Sequence, residues 1–196
     1  MAIYGIVLFF HIVGALGLFA GIGLEQVSLA RLRDVETMTQ ARDWLGVLTN
    51  LRRGDAPSGL VILASGIYMM VARWGHEAWI GLALIGMVLM AVLGIAVTSR
   101  RARALKEAVA GTDGPITSAL RLRLADRILR VSATLRAAIA IGIVFNMAVK
   151  PAPFGALVTM FVALGAGALV GFAQWYGRGA ALGSSRSGAL SGSSQR

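Results

Sequence analysis

The chain has 196 residues, of which 57% are hydrophobic and 14% are charged, whereas soluble domains average about 45–50% and about 25%. This composition indicates a membrane protein, and the absence of cysteine from the sequence excludes disulfides, thiolate metal sites and a cysteine nucleophile. The formal net charge of +10 would also suit a nucleic-acid-binding protein. However, the basic residues cluster between apolar segments and are not interleaved with aromatic residues on a soluble face, so we expect no nucleic-acid partner.

Five apolar segments approach or exceed the length of about 20 residues that a helix needs to cross a bilayer. In chain order they cover residues 3–27, 57–72, 78–98, 131–149 and 154–176. The runs are continuous and do not alternate with a period of two, which argues against membrane-spanning strands. The sequence therefore predicts an all-α integral membrane bundle of five transmembrane helices within residues 1–178. The Gly/Ser-rich residues 179–196 are predicted to form a disordered cytoplasmic tail.

The connections between these segments also carry helical patterns. The first, RLRDVETMTQARDWLGVLTNLRR, places Val35, Met38 and Leu45 among charges and indicates an amphipathic helix that lies along the headgroups. Gly54 and Pro57 are expected to break this helix before the second span. In the third connection, ITSALRLRLADRILRVSATLR predicts a helix that continues straight into the fourth span.

Basic residues alternate between the two sides of the predicted bundle. Lysine and arginine are distributed over the four connections and the tail as Arg31, Arg33, Arg42, Arg52 and Arg53; Arg73; Arg100, Arg101, Arg103, Lys106, Arg121, Arg123, Arg127 and Arg130; Lys150; and Arg178, Arg186 and Arg196. Because basic connections stay in the cytoplasm, the N-terminus is expected outside and the C-terminus in the cytoplasm. We predict a multi-pass protein of the bacterial cytoplasmic (inner) membrane, with anionic headgroups as its natural partner.

The first span holds an ionisable side chain near its middle, His11. Gly14, Gly21 and Glu25 fall within about 80° of it around the helix axis, so these residues share one face. Gly17 and Gly21 form a small-xxx-small pair, which lets another helix of this chain or of an oligomer partner approach closely. His11 either donates a hydrogen bond to a neighbouring helix or belongs to a pathway or ligand site. The sequence leaves both readings open.

Three further polar residues lie inside the predicted spans. Glu25 and Arg136 each lie about one turn inside the cytoplasmic boundary, and a buried charge is costly unless it is paired. They are expected either to pair with each other or to reach the inner headgroups. Asn146 is deep enough to need a partner, either through an interhelical hydrogen bond or as part of a polar track.

Several methionines lie on the same side of the midplane as His11 or close to it, and Met87, Met90 and Met147 are the candidate ligands among them. Thioether and imidazole together form a soft ligand set that suits Cu(I). Methionine also fills irregular apolar gaps, so packing is the alternative. A haem would need a second intramembrane histidine, whereas His76 is interfacial. The cofactor is therefore unknown, and copper and haem are the candidates. We expect no enzyme, since no convergent acid, base and nucleophile are found.

The stretch HIVGALGLFAGIGLE resembles the first helix of bacterial multi-pass proteins related to the copper-resistance D-type membrane domain. The segment FNMAVKP looks like the end of a later helix in an uncharacterised family of that group. The resemblance implies a cytoplasmic-membrane protein concerned with copper or redox cofactors, with His11 as a candidate ligand. The leading hypothesis is a small membrane protein that handles a solute or metal ion through a polar track containing His11. The alternatives are a non-catalytic accessory or scaffold subunit and a membrane redox protein.

Overall fold

The computed structural model describes residues 2–111 and 113–192, without the side chains of residues 52, 53, 55 and 174–192. The described residues form no β-strand and a single isolated bridge, between Thr37 and Pro115. The helices are α1 (Ala2–Arg31), α2 (Met38–Met69), α3 (Ala78–Val92), α4 (Arg100–Val109), α5 (Ser118–Leu124), α6 (Arg127–Val149) and α7 (Pro153–Gly192). Two π-helical segments, Met70–Trp74 and Leu93–Ser99, extend α2 and join α3 to α4.

Five helical stretches are long and apolar enough to cross a membrane. They are Ala2–Arg31, Met38–Trp74, Ala78–Val109, Ser118–Val149 and Pro153–Ala173. The predicted all-α fold with five candidate spans is therefore confirmed. Half of the most apolar part of the fourth stretch is buried, against 18–28% in the others. Helix α6 is accordingly the centre of the bundle, where it contacts α1, α3 and α7, while α1 packs along α2.

The predicted break before the second span is wrong, because α2 runs without interruption through Gly54 and Pro57. Proline removes one hydrogen bond from a helix and crowds the preceding turn. Here the helix is held by packing on both sides of that point, since Leu48 and Ile62 are both buried. The amphipathic segment is thus the first part of α2. Its start is capped by the Thr37 hydroxyl, which accepts a hydrogen bond from the Gln40 backbone N–H at 3.3 Å.

The predicted continuous helix into the fourth span is also interrupted, between α5 and α6. Asp126 is the N-cap of α6, and its Oδ1 accepts hydrogen bonds from the backbone N–H groups of Ile128 at 2.9 Å and Leu129 at 3.1 Å. A capping carboxylate favours a new helix start over a continuous helix. Its other oxygen accepts from Arg101 at 2.6 Å, which ties this junction to α4.

The first and third connections meet at one end of the bundle, which we call the basic end. The Met38 N–H donates to the Gly114 carbonyl at 3.1 Å, and Arg42 forms an ion pair with Asp113 at 2.6 Å. Beneath them lies an apolar core that includes Leu29, Leu32, Val35, Met38, Ala41, Leu45, Leu48, Ala102, Leu105, Val109, Leu120, Leu124, Leu129 and Ala133. The amphipathic residues of the first connection therefore pack against protein, where the sequence had suggested headgroups.

The opposite end of the bundle brings together the N-terminus and the second and fourth connections. The rings of Trp74 and Trp79 meet edge to face with their centroids 5.7 Å apart. Trp74 Nε1 donates to the Tyr4 hydroxyl at 3.2 Å, and Lys150 Nζ lies 4.0 Å from the centre of the Trp74 ring. The first and third connections thus lie at one end of the bundle and the second and fourth at the other, as the charge pattern predicts.

The small-residue face of α1 is used inside the chain. A Cβ added at Gly17 would lie 2.7 Å from Ser58 Oγ, and one added at Gly14 would lie 3.0 Å from an Ile62 side-chain carbon. The two helices therefore approach closely because these positions have no side chain. Oligomer contacts through glycine-rich faces stay a prediction. Of the tail that was predicted to be disordered, residues 179–192 form the last part of α7, and residues 193–196 lie outside the described residues.

Candidate functional site

His11 is buried against α2. Its Nδ1 lies 3.0 Å from Ser65 Oγ, and the Ser65 hydroxyl is in turn directed at the Val61 carbonyl. Because a hydroxyl has one proton, the imidazole is the donor to Ser65 Oγ. The ring also lies over Gly66, where an added Cβ would be 3.5 Å from His11 Cε1. The structure thus provides the hydrogen bond to a neighbouring helix that was one of the two readings of His11.

Changing Ser65 to alanine should lower the free energy of unfolding by about 1 kcal/mol, because hydrogen bonds between membrane helices contribute about 0.6–2 kcal/mol. Thr159→Ala is the matched control, since the Thr159 hydroxyl bonds within its own helix to the Gly155 carbonyl at 3.0 Å. Its effect should stay within about 0.5 kcal/mol. Unfolding in mixed detergent micelles measures both, and equal losses would show that the His11 contact adds nothing.

Glu25 and Arg136 form an ion pair that joins α1 to α6. Arg136 Nη1 donates to Glu25 Oε1 at 2.8 Å and to Oε2 at 2.6 Å. The side chains are 5% and 4% exposed, respectively. Of the two arrangements considered for these charges, pairing and extension to the headgroups, the structure has the pair. Removing either partner would leave a buried charge uncompensated.

Asn146 lies fully buried near the end of α6. Its Nδ2 donates to the Ala156 carbonyl of α7 at 3.2 Å, so it ties the two helices together beside the connection that joins them. The main-chain carbonyl of Asn146 accepts a hydrogen bond from the backbone N–H of Lys150. Lys150 ends α6 in a left-handed conformation with φ of 51°. This geometry matches the interhelical hydrogen bond expected for a deep asparagine.

The methionines are grouped around an apolar cluster between α3, α6 and α7. Met90 is a buried member of this cluster, and Met87 and Met147 pack against it. The hydrogen bond of His11, by contrast, is to α2. Within the part of the chain that the structure describes, no group of three or more His, Asp or Glu could hold a metal ion. The Cu(I) hypothesis stays a prediction. It would be supported by copper that purifies with the wild-type protein and is lost in the His11→Ala variant.

A cavity of about 740 Å³ lies between α2 and the continuous helical stretch 78–109. We call it the α2–α3 cavity. It is lined by Leu18, Thr49, Asn50, Ala56, Gly59, Leu60, Leu63, Leu84, Met87, Val88, Met90, Ala91, Ile95, Ser99, Ala102, Arg103, Lys106 and Arg136. Of the predicted site residues, Met87, Met90 and Arg136 belong to this lining. The described lining does not include His11, Glu25, Asn146 or Met147.

The lining changes from apolar to polar along the cavity. Helix α2 starts at the basic end and α3 runs toward it, so the polar residues of both walls are brought together there. On α2 these are Thr49 and Asn50; on the other wall they are Ser99, Arg103 and Lys106. Sequence reasoning treated the two cations only as loop charges, because it did not recognise that α3 continues into α4 as one helical stretch.

The cavity opens sideways between α2 and α3. Three apolar residues of its lining, Leu60, Val88 and Ile95, are 67%, 64% and 66% exposed. They lie on stretches apolar enough to cross a membrane, and a residue exposed on a helix that crosses the bilayer core faces hydrocarbon. The π-helical turn at Leu93–Ser99 borders the same opening, and such turns are frequent at functional sites.

The fold and this site define a class, that of multi-pass helical membrane proteins with a laterally open internal cavity. Searches against models of protein families, curated proteins and solved structures found no match to the chain.

Proposed function

We propose that this chain is a multi-pass protein of the bacterial cytoplasmic membrane that binds an amphiphilic small molecule in the α2–α3 cavity. The observation that carries the proposal is the graded lining, with apolar side chains along the span and Asn50, Arg103 and Lys106 at the basic end. The volume of about 740 Å³ falls within the range of about 300–1,000 Å³ that is usual for ligand sites. The basic end faces the cytoplasm under the positive-inside rule.

Solute handling remains the proposed function, but the proposed binding site is the α2–α3 cavity and no longer the surroundings of His11. The sequence suggested a polar track through His11 and Glu25, whereas these side chains are engaged in contacts with Ser65 and Arg136. Arg136 connects the two descriptions, since it pairs with Glu25 and also lines the cavity. Arg136 is therefore a lining residue of α6 that the ion pair ties to Glu25 of α1.

Filling the cavity tests the proposal. Gly59 lines it and has open space where a Cβ would be, so Gly59→Phe places a ring inside the cavity. Gly81→Phe is the control, because Gly81 of α3 also has open space around it and is not part of the lining. The readout is the total lipid that native mass spectrometry finds on protein supplied with equal amounts of phosphatidylcholine and phosphatidylglycerol in detergent.

We expect Gly59→Phe to retain about tenfold less lipid than the wild type at subsaturating lipid, where a tenfold loss corresponds to about 1.4 kcal/mol of binding free energy. Gly81→Phe should retain the wild-type amount. If the two variants and the wild type bind equal amounts, the cavity is not a ligand site and the accessory-subunit hypothesis gains. Thermal unfolding of both variants verifies that they remain folded.

A further inference from the structure

The charge that lines the α2–α3 cavity is entirely positive among the described residues. Arg103, Lys106 and Arg136 belong to the lining, and no carboxylate does. Arg136 is already paired with Glu25. Arg103 and Lys106 form no ion pair within the described part of the chain, whereas their neighbour Arg101 is paired with Asp126 at 2.6 Å. Among the described lining residues, the charge available to a ligand at the basic end is therefore that of these two cations.

Arg103 and Lys106 are placed to act on one group. They are three residues apart on α4, and side chains at that spacing are neighbours on a helix surface. Both are exposed at the basic end and share the cavity lining with Asn50, whose side-chain amide can donate hydrogen bonds. Two cations with nearby polar side chains suit the oxygens of a phosphate, with which arginine and lysine form charge-assisted hydrogen bonds.

The apolar part of the cavity has the length of a lipid chain. From Ser99 back to Leu84 the helical wall extends over 15 residues, or about 22 Å at 1.5 Å per residue. Half of a bilayer's hydrocarbon core measures about 15 Å. An acyl chain can therefore lie against this wall while its headgroup stays at the level of Arg103.

The apolar walls alone would not select a ligand, because lipid tails outside the cavity are as apolar as the leucines inside it. Selection must come from the polar end. We propose that the ligand is an anionic phospholipid of the surrounding bilayer, with its phosphate between Arg103 and Lys106 and an acyl chain between α2 and α3. This proposal rests on the proposed function, since it names the occupant of the same cavity.

The experiment compares two double variants that remove equal charge from the same end. Arg103→Gln/Lys106→Gln removes the cations that line the cavity. Arg100→Gln/Arg121→Gln removes two exposed cations that are not part of the lining. Each protein is supplied with equal amounts of phosphatidylglycerol and phosphatidylcholine, and native mass spectrometry gives the ratio of the two bound lipids. Thermal unfolding verifies that both variants are folded.

We expect the wild type to favour phosphatidylglycerol and Arg103→Gln/Lys106→Gln to lose about tenfold of that preference. The Arg100→Gln/Arg121→Gln control should keep the preference to within about twofold, since neither cation lines the cavity and exposed charges are screened by salt. Equal losses in both variants would mean a diffuse attraction of the basic end for lipid, and would overturn the proposal.

Two further outcomes separate this proposal from the proposed function. If Gly59→Phe lowers total lipid but the bound lipids show no headgroup preference, the cavity is a ligand site and the assignment of an anionic lipid is wrong. If millimolar inorganic phosphate removes the bound phosphatidylglycerol from the wild type, the site binds a free anion and the lipid assignment is again overturned. Retention of phosphatidylglycerol in excess phosphate is the expected result.

Discussion

Arg136→Met should lower the free energy of unfolding by about 3–5 kcal/mol, because it leaves the Glu25 carboxylate buried without its cation. The side chains of this pair are 4% and 5% exposed. The control is Arg42→Met, which removes an equivalent contact to Asp113 where the side chains are 35% and 85% exposed. That change should cost no more than about 1 kcal/mol. Equilibrium unfolding in mixed micelles gives both values.

The double variant Glu25→Met/Arg136→Met distinguishes loss of the pair from loss of packing. Replacing both members of a buried pair with apolar side chains of similar size is often neutral. The double variant should therefore recover most of the stability that Arg136→Met loses, with a coupling energy close in size to the sum of the two single losses. If the losses of the two single variants simply add, Glu25 and Arg136 do not stabilise each other and the contact between α1 and α6 is incidental.

Gly167→Ala should have the second large effect, because it forces α6 and α7 apart. A Cβ at Gly167 would lie 2.7 Å from the Ala138 Cβ and 3.3 Å from the Leu135 Cα. Overpacking of this kind costs about 1–3 kcal/mol. The nearby Gly165→Ala is the control, since no atom lies within 4 Å of its added Cβ. That variant should be neutral or more stable by up to about 1 kcal/mol, because alanine is the better helix former. Comparable losses of stability in Gly167→Ala and Gly165→Ala would refute the close approach of α6 and α7 at Gly167.

The fold could be predicted from the sequence because the length of an apolar run determines whether a helix can cross a bilayer. The points at which helices begin and end were less predictable. Pro57 is a local signal for a break, but the packing of Leu48 and Ile62 on either side overrides it. Asp126 is also a local signal, and it does start a helix, although the sequence was interpreted as one continuous helix there.

The candidate site was predictable only in part, because periodicity gives the face of a helix and not its neighbour. It placed His11 and Glu25 on the packed face of α1, and both are buried there. It did not determine that His11 meets Ser65 or choose between a partner and the headgroups for Glu25. The α2–α3 cavity lay beyond reach, since it depends on the separation of two helices and on the continuity of the stretch 78–109.

The threading of the chain is tested most directly by cysteine labelling, which the absence of native cysteine makes unambiguous. His76→Cys marks the connection between α2 and α3, and Asp113→Cys marks the connection between α4 and α5 at the basic end. Spheroplasts of bacteria expressing each variant are treated with a membrane-impermeant maleimide before and after lysis. We predict that His76→Cys is labelled in intact spheroplasts and Asp113→Cys only after lysis. Labelling of Asp113→Cys before lysis, or of both variants from the same side, would contradict a membrane bundle with its basic end in the cytoplasm.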